Sequence, residues 1–299
     1  MGRSPESCIG VTVSPRSENV THQVSHRLVL SLFPNIGLLD RAFEELGFCV
    51  VRGPDKLWGG DIMNFHPPVN VFWGVIGGPP CQDFSSKRRI PPTGYGLKML
   101  EQFARVVVET QPEWWLMENV SRVPTVTELR GHIFAELGHS YTTQRFDINQ
   151  GWYCDVTRLR HIQFGSKSGR LLNVTRRAVT PNSQGAALAN DHRPFPELCR
   201  LQGLPEDFDL PGFLASEKKR AVGNGVPLQM GRVLAQAVID AYAGPVTIQC
   251  DFAGRVTPEK VCLCGCGRRV TGKAKYYDYS CRKRAQRKRD MARSQHDRD

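Results

Sequence analysis

Apolar and polar residues follow two periods along this chain. Short apolar runs, each closed by glycine or proline, occupy 27–33 (RLVLSLF, then the turn Pro34, Asn35, Ile36, Gly37) and 71–76 (VFWGVI, then Gly77, Gly78, Pro79, Pro80). A third run, WWLMENV at 114–120, leads into a loop. Runs of this length and boundary predict buried strands. Between them the spacing changes to that of an amphipathic helix. LLDRAFEEL predicts a helix ending at Gly47, FCVV the strand after it, and 97–109 and 228–242 two further helices. Strands alternating with helices predict an α/β fold with a mostly parallel sheet. Such sheets collect ligands at the carboxyl ends of their strands. Three segments are placed there: the turn at 33–37, the loop at 79–85 and Glu118-Asn119. Residues 166–194, rich in Arg, Asn, Ser and Ala, carry little periodicity, and regular patterning resumes near Phe195.

Composition narrows the class. The 299 residues are 40% hydrophobic, enough for a sizeable core, and no apolar run reaches the length of a membrane span. Residues 1–26 have no apolar stretch of signal length and read as a disordered leader. The formal net charge of +11 is concentrated late, with twelve Lys or Arg against four Asp from Gly267 to Asp299. A basic tail of that kind suits a polyanion such as nucleic acid; a solubilising tail is the plainer alternative. Six of the ten cysteines are scattered, while Cys262, Cys264, Cys266 and Cys281 lie within twenty residues. That distribution fits a reducing compartment and one metal site rather than secreted disulfides.

One cysteine stands in a setting that suits chemistry. Cys81, in GGPPCQDFSS (77–86), follows a strand and a Gly-Pro-Pro turn, which would hold it at the sheet edge facing a cleft. A free thiol has a pKa of about 8.5 and needs help to reach the nucleophilic thiolate form. Pro80-Cys81-Gln82 with Phe84-Ser85 resembles the nucleophile motif of the C5-cytosine-specific DNA methyltransferases. Glu118-Asn119-Val120, Arg158-Leu159-Arg160, the 198–208 segment LCRLQGLPEDF and Gly223-Asn224-Gly225-Val226-Pro227 follow in that family's order. The resemblance covers about 27–242 and implies a Rossmann-like fold dependent on S-adenosylmethionine. It further implies that Cys81 attacks C6 of a flipped cytosine, making C5 reactive. Glu118 would stabilise the ring at N3, Arg160 would contact the O2 edge, and Arg158 would organise the site or a phosphate. The family's Gln before that arginine pair is Val156 here.

The same resemblance places the methyl donor. Phe33 to Gly37 is similar to the family's Phe-x-Gly-x-Gly loop, with Asn35 replacing the first Gly; Asn tolerates positive φ. Phe33 would meet the adenine ring beside Asn35, Ile36 and Gly37. Asp55, eighteen residues after Gly37, would take the ribose hydroxyls, where the family usually has Glu. Asp61 and Ile62 would bind the adenine edge, with Pro80, Asn224, Gly225 and Val226 completing the pocket.

Recognition of double-stranded DNA falls to the 166–194 interval, which is short for this family. Arg176 and Arg177 within it, and Ser85, Lys87 and Arg88 after the nucleophile, are the candidate DNA contacts. The small interval predicts a short or relaxed target site, or help from elsewhere in the chain. That help is sought in 261–299, reached through a linker at 244–260. There Cys262, Cys264, Cys266 and Cys281 supply the four thiolates that tetrahedral Zn²⁺ takes, ahead of a basic helix. The expected organisation is therefore a core at 27–165, a recognition segment at 166–194 and the final core motifs at 195–243. The expected protein is a monomeric, non-membrane enzyme of bacterial or phage type, cytoplasmic and nucleoid-associated. Its rivals are an RNA C5-cytosine methyltransferase and a non-catalytic DNA-binding regulator.

Overall fold

The computed structural model describes residues 28–85, 91–154, 156–179, 184–185, 192–243, 282–283 and 286. The leader, the linker, the four clustered cysteines and the pair Lys87 and Arg88 lie outside the described residues.

Six strands form one sheet. They are β1 (Leu28–Leu32), β2 (Cys49–Arg52), β3 (Gly74–Gly77), β4 (Trp114–Asn119), β5 (Thr142–Asn149) and β7 (Leu159–Ser166), in the order β2-β1-β3-β4-β7-β5. The first four run parallel, and β7 is antiparallel to both β4 and β5. A two-residue strand β6 (Val156–Thr157) pairs in parallel with β8 (Gln184–Gly185). The helices are α1 (Leu38–Glu45), α2 (Tyr95–Thr110), α3 (His132–Ser140), α4 (Phe195–Leu201), α5 (Ala215–Asn224) and α6 (Leu228–Ala243).

Strand β4 shows how the sheet is held. All six of its residues are buried, and alternate side chains enter opposite cores. Trp115 and Met117 pack with Leu100, Phe103 and Val107 of α2 and Leu137 of α3. Trp114 and Leu116 pack with Phe43 of α1 and Leu234 and Val238 of α6. Glycines on the neighbouring strands make room for the two indoles. A Cβ at Gly74 would sit 2.2 Å from Trp114, and one at Gly165 would sit 2.2 Å from Trp115 Nε1.

Several expected boundaries move. The third strand begins at Gly74 rather than at residue 71, because its register with β1 starts at Val29↔Gly74. Helix α1 stops at Glu45, and Gly47 takes the positive φ (85°) that turns the chain into β2. The 166–194 interval is tied to the core more firmly than its composition suggests. Leu172 is buried in the second core, and its N–H and C=O both bond the amide of Gln144 on β5.

The chain leaves β1 for β2 on one side, then returns to β3 on the other. This reversal opens a crevice beyond the carboxyl ends of β1 and β3, the usual ligand position in an open α/β sheet.

Candidate active site

The crevice is a cavity of about 670 Å³. Its walls bring together Phe33, Asn35, Asp55, Asp61, Ile62, Pro80, Cys81, Glu118, Arg158, Arg160, Asn224, Gly225 and Val226. Each was singled out in the sequence. Ile36 instead packs with Leu38, Ala42 and Leu198 in a third apolar cluster, and Gly37 starts α1; neither lines the cavity. Ser85 lies outside the lining as well, and so do Arg176 and Arg177.

The nucleophile end is built by strand ends. Gly77 closes β3, where a Cβ would come 2.8 Å from Leu32 O, so glycine lets β3 end tight against β1. Asn119, at the end of β4, donates from Nδ2 to Pro79 O (2.9 Å) and accepts Val120 N–H at Oδ1 (2.9 Å). This buried amide ties the Pro79-Pro80-Cys81 turn to β4. Beside it Glu118 is 8% exposed and Arg160, on the antiparallel β7, is 6% exposed. Arg160 Nε meets Glu118 Oε1 at 2.6 Å.

Burial pushes the Glu118 carboxyl up, against the pull of Arg160. Burial also pushes the Cys81 thiol up, and the nearby Glu118 charge adds to this while Arg160 opposes it. The resting site therefore favours a neutral thiol beside a carboxyl that holds a proton more readily than an exposed one.

Arg158 lies between β6 and β7 rather than within a strand. It reaches the cavity and donates from Nη1 to Gly223 O (2.8 Å), which links the Arg-x-Arg element to the Gly223-Asn224-Gly225 segment. Val156, at the family's Gln position, is buried and pairs with Gln184.

The donor end is a tight loop. Phe33 and Asn35 have positive φ (55° and 53°), as does Gly37 (75°). Asn35 thus holds the conformation expected of it, while Phe33 holds one that is rare for a bulky residue, a form of strain that clusters at functional sites. Asp55 accepts Asn35 N–H at Oδ2 (2.8 Å) and Leu57 N–H at Oδ1 (2.8 Å). Asp61 accepts Met63 N–H (3.0 Å). Arg105 of α2 pins the adjoining loop by donating to Ile62 O (2.8 Å) and Phe65 O (3.1 Å).

Three supporting residues escaped the motif reading: Asn119 as an anchor, Arg105, and Asp83. Asp83 accepts Thr93 N–H at Oδ1 (3.1 Å) and Gly96 N–H at Oδ2 (2.8 Å), so the residue two after Cys81 caps the start of α2. Only Asp83 carried a local signal, being a carboxylate twelve residues before the first residue of α2.

Comparison with known proteins agrees with this geometry. The family model for C-5 cytosine-specific DNA methylase matches residues 69–161, the stretch from before Cys81 through Arg160. Type II methyltransferase M.HgiGI of Herpetosiphon aurantiacus is 49% identical over 115 residues, covering 31% of this chain and 90% of that protein. Type II methyltransferase M.HgiDI of the same organism is 25% identical over 304 residues, covering 74% of this chain and 96% of that protein. The crystal structure of a prophage-encoded DNA modification methyltransferase from E. coli shares the fold at a TM-score of 0.55 and 14% identity, over 73% of this chain and 99% of that one. With Cys81, Glu118 and Arg160 gathered in one crevice of an α/β sheet, and with these matches, the chain belongs to the C-5 cytosine-specific DNA methylase family.

Proposed function

We propose that this DNA (cytosine-5-)-methyltransferase binds S-adenosylmethionine at the Phe33–Asp61 end of the cavity and a flipped cytosine at the Cys81–Glu118–Arg160 end. The observation that carries the assignment is that the residues of both ends, Cys81 among them, line a single cavity. A volume near 670 Å³ falls within the range for nucleoside-sized ligands. The donor-end residues fit an adenosyl group. Phe33 and Ile62 offer apolar walls, and the carboxylates of Asp55 and Asp61 each keep lone pairs after their backbone bonds. Asp55 can therefore take ribose hydroxyls and Asp61 an amino group, with Pro80, Asn224, Gly225 and Val226 closing the wall.

A cytosine within a duplex is out of reach, so it must be extruded, at a cost of a few kcal/mol. Cys81 loses its thiol proton to solvent water, and its sulfur bonds to C6 as the C5–C6 double bond opens. The displaced electron density is met at N3 by the Glu118 carboxyl, whose raised proton affinity suits a donor. Arg160 holds that carboxyl in place and presents its remaining N–H groups to the base. When bound, the cofactor supplies an electrophilic methyl carbon to C5. Water takes the C5 proton, the C5–C6 double bond re-forms, and the S–C6 bond breaks to release the Cys81 thiolate. Arg158, bonded to Gly223 O, keeps the wall shared by both ligands in register.

Labelled-methyl transfer from S-adenosylmethionine to duplex DNA, followed by base-resolution mapping, tests the assignment. Cys81→Ala is expected to abolish transfer and leave donor binding intact; retained transfer in that variant overturns the mechanism.

Beyond the described residues, Cys262, Cys264, Cys266 and Cys281 form a zinc site that supports a basic DNA-binding appendage. The reading rests on the four thiolates and the basic run after Cys281. Metal analysis of purified protein tests it, and absence of stoichiometric zinc with full activity in chelator removes it. Duplex DNA is taken as the substrate, as the name of this chain's family implies. Its Type II methyltransferase relatives support a role in DNA modification.

A further inference from the structure

Four cationic side chains line the catalytic cavity: Lys56, Arg158, Arg160 and Arg220. Three of them are engaged. Arg160 Nε holds Glu118 Oε1 at 2.6 Å. Arg158 donates from Nη1 to Gly223 O (2.8 Å). Lys56 Nζ lies 4.6 Å from the ring centre of Tyr95. Arg220 differs from these. It is exposed on α5, and its guanidinium has no hydrogen bond, ion pair or ring contact among the described residues.

Arg220 stands beside the donor loop. Asn35 of that loop donates from Nδ2 to the carbonyl of the next residue, Ala221 (2.8 Å). Arg220 and Asn224 are one helical turn apart on α5, and both reach the cavity wall. The helix ends close against the start of α1, where a Cβ at Gly225 would sit 2.6 Å from Leu38 Cδ1. The backbone of Arg220 is thus placed by the contacts that build the donor end, while its side chain keeps its hydrogen-bonding capacity.

The remainder of the cavity is hostile to an anion. Asp40, Asp55, Asp61, Asp83 and Glu118 line it, so five acidic side chains face four cations. The sulfonium and ammonium groups of S-adenosylmethionine are favoured in such surroundings, and its α-carboxylate is not. With Asp55 and Asp61 at the ribose and adenine, that carboxylate needs a place away from both, against a cation with N–H groups to spare. Arg160 is committed to Glu118 and the base, Arg158 to Gly223 O, and Lys56 to Tyr95 beside Asp55. We infer that Arg220 binds the α-carboxylate of the methyl donor and so selects an adenosyl amino acid over an adenosyl amine. The inference rests on the proposed activity and adds the amino-acid end of the donor to it. A planar guanidinium offers two parallel N–H groups to the two carboxylate oxygens, a match that a lysine ammonium lacks.

The test measures binding by calorimetry, without DNA and without turnover. The probes are S-adenosylhomocysteine and its decarboxylated form, which differ only in the carboxylate. Arg220→Gln is expected to weaken S-adenosylhomocysteine by about tenfold or more and to leave the decarboxylated probe within about twofold of wild type. Arg220→Lys keeps the charge without the paired geometry, and its affinity for S-adenosylhomocysteine should fall between the two. Glutamine suits an exposed helix position nearly as well as arginine, so an unchanged melting temperature checks that the fold is intact. Unchanged binding of both probes by Arg220→Gln, or equal weakening of both, overturns the inference. Lowered duplex affinity in a parallel competition, with both probes bound as before, assigns Arg220 to a phosphate and overturns it likewise. Wild-type protein that binds both probes equally well counts against the inference alone. Wild-type protein that binds neither overturns the proposed donor pocket, and the inference with it.

Discussion

Replacing Asp83 by Ala tests whether the nucleophile's position depends on the start of α2. The Gly94 that precedes this sixteen-residue helix provides no side-chain cap. Asp83 acts in its place, accepting Gly96 N–H (2.8 Å) and Thr93 N–H (3.1 Å), while the Thr93 hydroxyl donates to both of its oxygens (3.1 and 3.2 Å). A lost cap costs about 0.5–2 kcal/mol, and a lost negative charge at a helix N-terminus a further ~0.3–1 kcal/mol. Water reaches this end of the helix and recovers part of the loss, so about 1–2 kcal/mol is expected for Asp83→Ala. In a domain of this size that lowers Tm by about 3–6 °C. The change also frees the single turn from Gln82 to Phe84, whose Phe84 N–H bonds Cys81 O (3.0 Å). A misplacement of about 1 Å at a reacting atom costs on the order of 100-fold in rate, so kcat is expected to fall about 10- to 100-fold while donor KM holds. Asp83→Asn keeps one acceptor and should recover roughly half of each effect. Thermal melting and steady-state methyl transfer provide the assays. Unchanged melting in Asp83→Ala refutes the cap, and lowered melting with unchanged kcat refutes its link to Cys81.

Three further outcomes follow from the geometry. Alkylation of Cys81 by iodoacetamide without DNA should reach its plateau at higher pH than an exposed thiol, since burial and Glu118 both push the thiol up; Glu118→Gln should speed it at neutral pH, and an unchanged rate there would exclude the like-charge effect. Gly165→Ala places a Cβ 2.2 Å from Trp115 Nε1 and should cost about 1–3 kcal/mol in denaturant unfolding, so a neutral result would mean that β4 shifts freely. His161 is fully buried, and burial lowers its pKa against the opposing bond to Asp147. Its neutral form is favoured in the folded chain, so stability is present above the unfolded value of about 6.5 and is lost as pH falls below it; a melting profile flat from pH 7 to 5 would contradict this.

What the sequence revealed and what it hid differ in physical kind. Strands β1, β3 and β4 are apolar runs cut by Gly and Pro, so both their existence and the cleft-facing position of Cys81 at a strand end were readable from local pattern. Edge strand β5 was not: Thr142–Asn149 is largely polar and half-exposed, with one fully buried residue at Ile148. The short helix α5 lies in the same blind spot, since ten residues give little periodicity, whereas α4 starts at Phe195, where the patterning resumes. Supporting contacts were hidden for another reason, because they join segments far apart in the chain. Asn35 shows what this means for the site. Sequence alone justified it only as a residue able to adopt positive φ where the family has Gly. In the fold its N–H bonds Asp55, its Nδ2 donates to Ala221 O 186 residues away (2.8 Å), and its carbonyl accepts Trp58 Nε1 (2.6 Å). Glycine could supply the first and third of these bonds but not the second. The departure from the family pattern therefore gives the donor loop a side-chain tether to α5, the helix that leads into Gly225 and Val226. Both walls of the donor pocket are joined through one amide, at the position where the motif match is weakest.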